Sequence, residues 1–222
     1  MSGSTLIDRT YGNLALRSKT LVTTNTVGDD GSYVDLTLTN CTAPEVAYRC
    51  ATHGVALLFM TASGSSRTVR LVSSGGVGTE ITVFHFDVPL PNPTPSGAVG
   101  RVRDSVGNLI FDIDYEYMDV VDFIAGVSIG SGASATYESG RSYAVAPARL
   151  GYDIYSQPIG GTGTGDPDIM VLIGAVGWRA IPNGIAQSDV LISGTIYPAH
   201  MAPIVTPFSA VVETTVIDVT HL

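Results

Sequence analysis

Apolar side chains in this chain recur at every second position or in short β-branched runs, and nowhere form a long three-to-four spacing with clean caps, the mark of an amphipathic helix. Between residues 33 and 39, Tyr33, Asp35, Thr37 and Thr39 alternate with Val34, Leu36 and Leu38, which gives one wet and one dry strand face. Similar runs predict strands at Leu21–Val27, Tyr33–Thr39, Val55–Met60, Thr68–Val72, Ile81–Val88 and Val99–Arg103. Further strands are predicted at Leu109–Ile113, Val120–Ile124, Ile169–Val176, Val190–Ile196 and Ala210–Val219. Turn residues separate them: Gly28-Asp29-Asp30-Gly31 and Ser73 to Gly78 supply positions that tolerate positive φ. The expectation is an all-β fold, an antiparallel β-sandwich of jelly-roll-like type with long loops.

Pro89, Pro91, Pro93 and Pro95 remove four backbone donors within one short stretch, so residues 89–97 cannot form a central strand. The expected organisation is one domain over 1–222, with an extended N-terminal segment and a Pro-rich crossover at 89–97. The alternative is two β domains, 1–90 and 98–222. A second loop, Gly160 to Asp168, is rich in glycine and precedes a strand-like run instead of a helix. It therefore lacks the helix N-terminus that a phosphate-cradling loop requires.

Composition narrows the function. Apolar residues make up 45% of the 222, which excludes a disordered chain, while charged residues are only 14%, so Ser, Thr, Gly and Asn must supply much of the solvation. Net charge is −9 with 11 basic residues, of which Lys19 is the single lysine, and this argues against a nucleic-acid surface. No signal peptide is evident, and the longest near-continuous apolar run, Ile169 to Trp178, is too short to cross a bilayer, so synthesis in a cytoplasm without membrane insertion is expected. Cys41 and Cys50 are expected as two reduced, half-buried thiols.

Candidate chemistry centres on an acidic run. From Leu109 the odd positions Leu109, Phe111, Ile113, Tyr115 and Tyr117 are apolar or aromatic, and the even positions Asp112, Asp114 and Glu116 are acidic. This predicts a strand with a dry face and an acidic wet face, a bulge or turn near Tyr117–Asp119, and Asp122 back on the wet side. A calcium loop is disfavoured because its sixth position would be Tyr117 in place of Gly and its twelfth Phe123 in place of Glu. A glycosidase pair among Asp112, Asp114, Glu116 and Asp119 has suitable spacing, but nothing in the sequence raises one acid above its neighbours. Cys41, Cys50 and His53 would need a distant fourth ligand, His85 or His200, to hold zinc, and His85 reads as a lone sheet histidine. No Gly-x-Ser-x-Gly elbow is present. Trp178 is expected in the core with Arg179 at its rim. Tyr137, Tyr143, Tyr152 and Tyr155 fall in a polar, glycine-containing region and are candidates for stacking on sugars or docking a partner.

One ordered series of motifs extends this reading. Asn13-Leu14-Ala15-Leu16-Arg17, Pro44-Glu45-Val46-Ala47-Tyr48-Arg49, Phe84-His85-Phe86-Asp87 and Val99 to Asp112 followed by Tyr117 to Ile124 resemble, in the same order, small β-rich minor tail proteins of long-tailed bacteriophages. The resemblance covers roughly residues 10 to 125. It implies a non-enzymatic virion component at the tail tip or on the central fibre, with no catalytic residues, metal or cofactor to carry over. Its partners would be other phage tail proteins and further copies of itself on a symmetric axis, and contact with a host-surface receptor or glycan through the Tyr-rich and Gly-rich loops is a role it allows. On that reading Asp112, Asp114, Glu116, Tyr137, Tyr143, Tyr152 and Tyr155 are the candidate interaction surface. A carbohydrate-binding β-sandwich module is the alternative, and a glycoside hydrolase using the acidic strand is third.

Overall fold

The computed structural model describes residues 13–29, 31–90, 100–159, 168–198, 208–209 and 211–222. The N-terminal twelve residues, most of the Pro-rich crossover, residues 160–167 of the flexible loop and His200 lie outside them. The chain is all-β: no helix occurs among the described residues. In chain order the strands are β1 (Ala15–Thr23), β2 (Thr26–Val27), β3 (Ser32–Leu38), β4 (Glu45–Arg49), β5 (Val55–Ser63), β6 (Ser66–Ser73) and β7 (Glu80–Asp87). Next come β8 (Arg101–Arg103), β9 (Leu109–Asp112), β10 (Asp119–Val127), β11 (Ser134–Thr136), β12 (Tyr143–Arg149) and β13 (Tyr152–Ile159). The series closes with β14 (Asp168–Ala175), β15 (Trp178–Ile181), β16 (Gly184–Gln187), β17 (Val190–Tyr197), β18 (Phe208–Ser209) and β19 (Val212–Asp218).

Two antiparallel sheets face each other, in the orders β1-β7-β4-β12-β19-β10 and β11-β16-β15-β5-β6-β3-β2. Each draws strands from both sides of the Pro-rich segment, through pairings such as Val145↔Tyr48 and Trp178↔Val55. The core between them follows from alternation: Ile81 and Val83 of β7, Tyr48 of β4 and Val216 of β19 meet Leu71, Val55 and Trp178 of the opposite sheet. Trp178 is buried and Arg179 exposed, the arrangement expected from its "VGWRA" context. The outer face of the six-stranded sheet also buries Phe84, Phe86 and Ile217, against Leu14, Leu16 and Met118. A third sheet, β17-β14-β13-β18, lies against the outer face of the seven-stranded one, where Ala175 and Val190 meet Ala56 and Val72.

Turn chemistry matches the sequence in places. Gly31, at φ 119°, closes the β2–β3 hairpin by accepting a hydrogen bond from the Gly28 amide at 3.0 Å. The Ser73–Gly78 segment instead carries the chain from one sheet to the other, because β6 and β7 belong to different sheets. Pro147 sits in β12 beyond its single pairing with β4 at Val145, opposite Thr214 of β19 and just before the register shift at Pro147/Arg149, a position of the kind that tolerates a missing N–H.

At the end of β19, buried Asp218 binds the Arg141 guanidinium and accepts from the amide and hydroxyl of Thr220. Burial alone would raise its carboxyl, but the Thr220 donors and Arg141 outweigh it and hold the group below the ordinary carboxylate range. The ionised form therefore stabilises the fold above that ordinary value, and the contribution is lost as pH falls through the lowered one. Thermal melts from neutral pH down to about pH 2 should show a steep loss below about pH 4, with a shallower slope in Asp218→Asn. Identical acid slopes in the two proteins would remove Asp218 from this account.

Candidate functional site

The acidic stretch is not one strand. Strand β9 ends at Asp112, and the next residues turn: Tyr115 donates its amide to the Asp112 carbonyl at 3.0 Å, and Asp114 donates to Asp112 Oδ1 at 3.1 Å. Asp112, expected on the wet face, is 0% exposed and paired with Arg101 Nε at 2.6 Å. Its own amide donates to the Tyr117 hydroxyl at 2.6 Å. The predicted phase fails because Leu109 and Ile110 are both buried while Ile113 is 60% exposed. A short strand closed by an Asp-capped turn reads, in sequence, like a longer alternating one. Asp114 and Glu116 are exposed in the turn, and Asp119 and Asp122 lie on β10, so the acids form no single face. The glycosidase reading loses Asp112 from its four candidates, since this carboxylate is enclosed and committed to Arg101.

The tyrosines also separate. Tyr143 is a core residue in contact with Tyr137, ring centroids 4.8 Å apart, and the Tyr137 hydroxyl donates to Asp122 at 2.9 Å. Tyr152 and Tyr155 are exposed on β13, whose register with β14 is unbroken. Three positions apart on a regular strand, they project to opposite faces and make no common stacking platform.

Sequence spacing groups Cys41 with Cys50 and His53, whereas the fold brings Cys41 to His85 and Asp87. The β3–β4 loop passes through Asn40, at φ 57°, which turns Cys41 inward, and the Cys41 amide donates to the Ser65 carbonyl at 2.7 Å. His85 and Asp87 are two apart on β7 and share its inner face with Ile81 and Val83. All three side chains are buried, and their donor atoms lie within 4.8 Å of one another; among the described residues they are the one such grouping of His, Cys, Asp and Glu. His85 Nε2 is 3.9 Å from Cys41 Sγ and 3.8 Å from Asp87 Oδ2. Asp87 accepts three backbone N–H groups: Thr42 on Oδ2 at 2.8 Å, with Ala43 and Val88 on Oδ1, both at 2.7 Å.

Electrostatics assigns the states. Burial pushes the Cys41 thiol up, and the Asp87 charge adds to it. Burial pushes His85 down against the pull of Asp87. For Asp87 burial acts upward, but the amides of Ala43, Thr42 and Val88 and the charge of Arg17 prevail, leaving it ionised. This is no cysteine nucleophile: sulfur and carboxylate approach the same imidazole nitrogen, whereas a relay needs them on opposite ones, and the thiol is disfavoured as thiolate. A cleft of about 300 Å³ between β1 and β3 reaches His85 and is lined also by Arg17 and Thr37. Cys50 is separate, buried with its sulfur 3.6 Å from the Thr52 hydroxyl; both cysteines are free and more deeply buried than the expected half.

The other prominent surface is β10. It forms the last strand of the six-stranded sheet, pairs among the described residues with β19 alone, and exposes Val120 (48%), Val121 and Phe123 (53%). The chain matches no protein-family model, no curated protein and no solved structure.

Proposed function

We propose that this protein is a non-enzymatic structural component of a bacteriophage tail, at the tip or beside the central fibre, and that it assembles by docking the β10 edge against another tail protein. The observation that carries this reading is the edge itself. Unpaired backbone groups and apolar side chains on an outer strand are what a neighbouring chain needs to bind, and a protein that stays alone in water usually avoids them. Two bulges, at Val120/Asp122 and Ile124/Val127, with Asp119 and Asp122 interrupt the edge, which favours one matched partner over open-ended stacking. The ordered motifs from Asn13 to Ile124 support the same assignment. The low charge content of 14% suits a protein that buries much of its surface against neighbours.

The test is to label gradient-purified particles of the encoding phage with antibody to the recombinant protein. Label is expected at the tail end. Particles without label, with the protein confined to the lysate, would overturn the reading. Phe123→Lys, confirmed as folded by circular dichroism, should be incorporated at least about tenfold less efficiently, the loss expected for a central apolar anchor. Normal incorporation of this variant would exclude β10 as the docking edge.

A further inference from the structure

Cys41, His85 and Asp87 present sulfur, nitrogen and oxygen to one enclosed point without satisfying one another. The 3.8 Å between His85 Nε2 and Asp87 Oδ2 exceeds hydrogen-bonding range, and the 3.9 Å to Cys41 Sγ is at the outer limit for sulfur. Around a tetrahedral ion the corresponding separations are about 3.3–3.6 Å. The two that involve His85 are within about half an ångström of that, and all three donor atoms lie within 4.8 Å of one another, so binding asks for a contraction of about an ångström at most. We propose that these three residues bind one divalent cation of the zinc class, with water in the fourth position.

The surroundings are built as such sites are built. Three backbone amides orient the Asp87 carboxylate and leave Oδ2 with a free lone pair. The hydrogen bond from the Cys41 amide to the Ser65 carbonyl and the Asn40 turn fix the sulfur, and β7 fixes the imidazole between two neighbouring strands. One soft and one borderline donor favour zinc, cobalt or iron(II) over calcium or magnesium, which prefer oxygen throughout. Thiolate and carboxylate together balance the ion's charge, and binding expels the thiol proton to solvent. The cleft that reaches His85 supplies an entry path. Arg17 lines the same cleft, where its Nη2 donates to the Asn40 carbonyl at 3.3 Å and its Nη1 is buried without a partner, a donor left for an oxygen ligand entering there. Bound metal would fasten the β3–β4 loop to the end of β7. This proposal is independent of the tail assignment.

The experiment is a cobalt(II) titration of the reduced, chelator-treated full chain, followed by zinc displacement and thermal melts. Expected are saturation at a single equivalent, a thiolate-to-cobalt charge-transfer band, and a zinc-induced rise in midpoint of at least about 5 °C. Cys41→Ser should abolish the band and Cys50→Ser should keep it. Should Cys41→Ser fail to fold, His85→Gln provides the second reading, with affinity at least about tenfold weaker. A folded, fully reduced protein with neither the band nor the rise in midpoint would overturn the proposal. So would a band that survives Cys41→Ser or disappears with Cys50→Ser.

Discussion

Replacing Asp87 with asparagine should cost the metal-free fold about 2–4 kcal/mol, among the largest losses available to a near-isosteric change. The carboxylate accepts from Thr42 at one oxygen and from Ala43 and Val88 at the other, inside a site with 0% exposure. An amide has one oxygen. Its NH2 group would face at least one of these backbone donors, and each buried N–H left without an acceptor costs about 1–3 kcal/mol. The donors belong to the β3–β4 loop and the residue after β7, so the same substitution loosens the loop that carries Cys41. Urea unfolding at neutral pH measures the loss, with a midpoint in thermal melts lower by about 5–15 °C. A change below about 1 kcal/mol would mean that water or a loop shift replaces the carboxylate, and that the three amides do not depend on it.

Trp178→Ala should be comparably damaging, about 3–5 kcal/mol, while Trp178→Phe should cost far less. The indole is fully buried in the core between the two facing sheets, and it stands where β15 pairs with β5 through the single register Trp178↔Val55. Removing it opens a cavity at the seam between strands from either side of the Pro-rich crossover. The indole Nε1 is buried without a partner, so phenylalanine loses volume but also relieves an unsatisfied donor. Equal losses for the two variants would show that the seam needs the full volume of the indole and that a smaller aromatic ring does not fill it. Denaturant melts of both variants decide this.

Strands that alternate cleanly and bury one face were legible along the chain. Tyr33–Thr39 and Ile81–Val88 coincide with β3 and β7 to within a residue or so. Strands whose pattern is broken for a physical reason were not. Edge strand β1 carries Arg17 and Lys19 and β13 is exposed along much of its length, so neither shows a dry face of its own, while β12 is buried on both faces from Tyr143 to Ala146 and then meets Pro147, so it shows no alternation. The acidic stretch misled in the opposite direction, because alternation continued past the end of β9 into a turn held by Asp112. In the buried cluster, one signal was readable: His85 and Asp87 follow Ile81 and Val83 on the same parity, so a dry face ends in two polar groups that demand partners. That Cys41 would be the third member depends on how β3 and β7, in different sheets, are brought together. No local pattern encodes it.

The position of β19 has a consequence for how the protein is made. This late strand lies inside the six-stranded sheet, between β12 and β10. While the ribosome is still at work on the intervening residues, both of those earlier strands have an open edge where β19 will insert, and Val145 and Ala146 face solvent or a chaperone in place of Val216 and Thr215. Closure of that sheet therefore waits for β19 and is dominated by long-range pairing, and it is slow for that reason. Until β19 arrives the chain has two sticky margins beside its vacant berth, so holding the polypeptide apart from its siblings up to that point is a requirement of its topology.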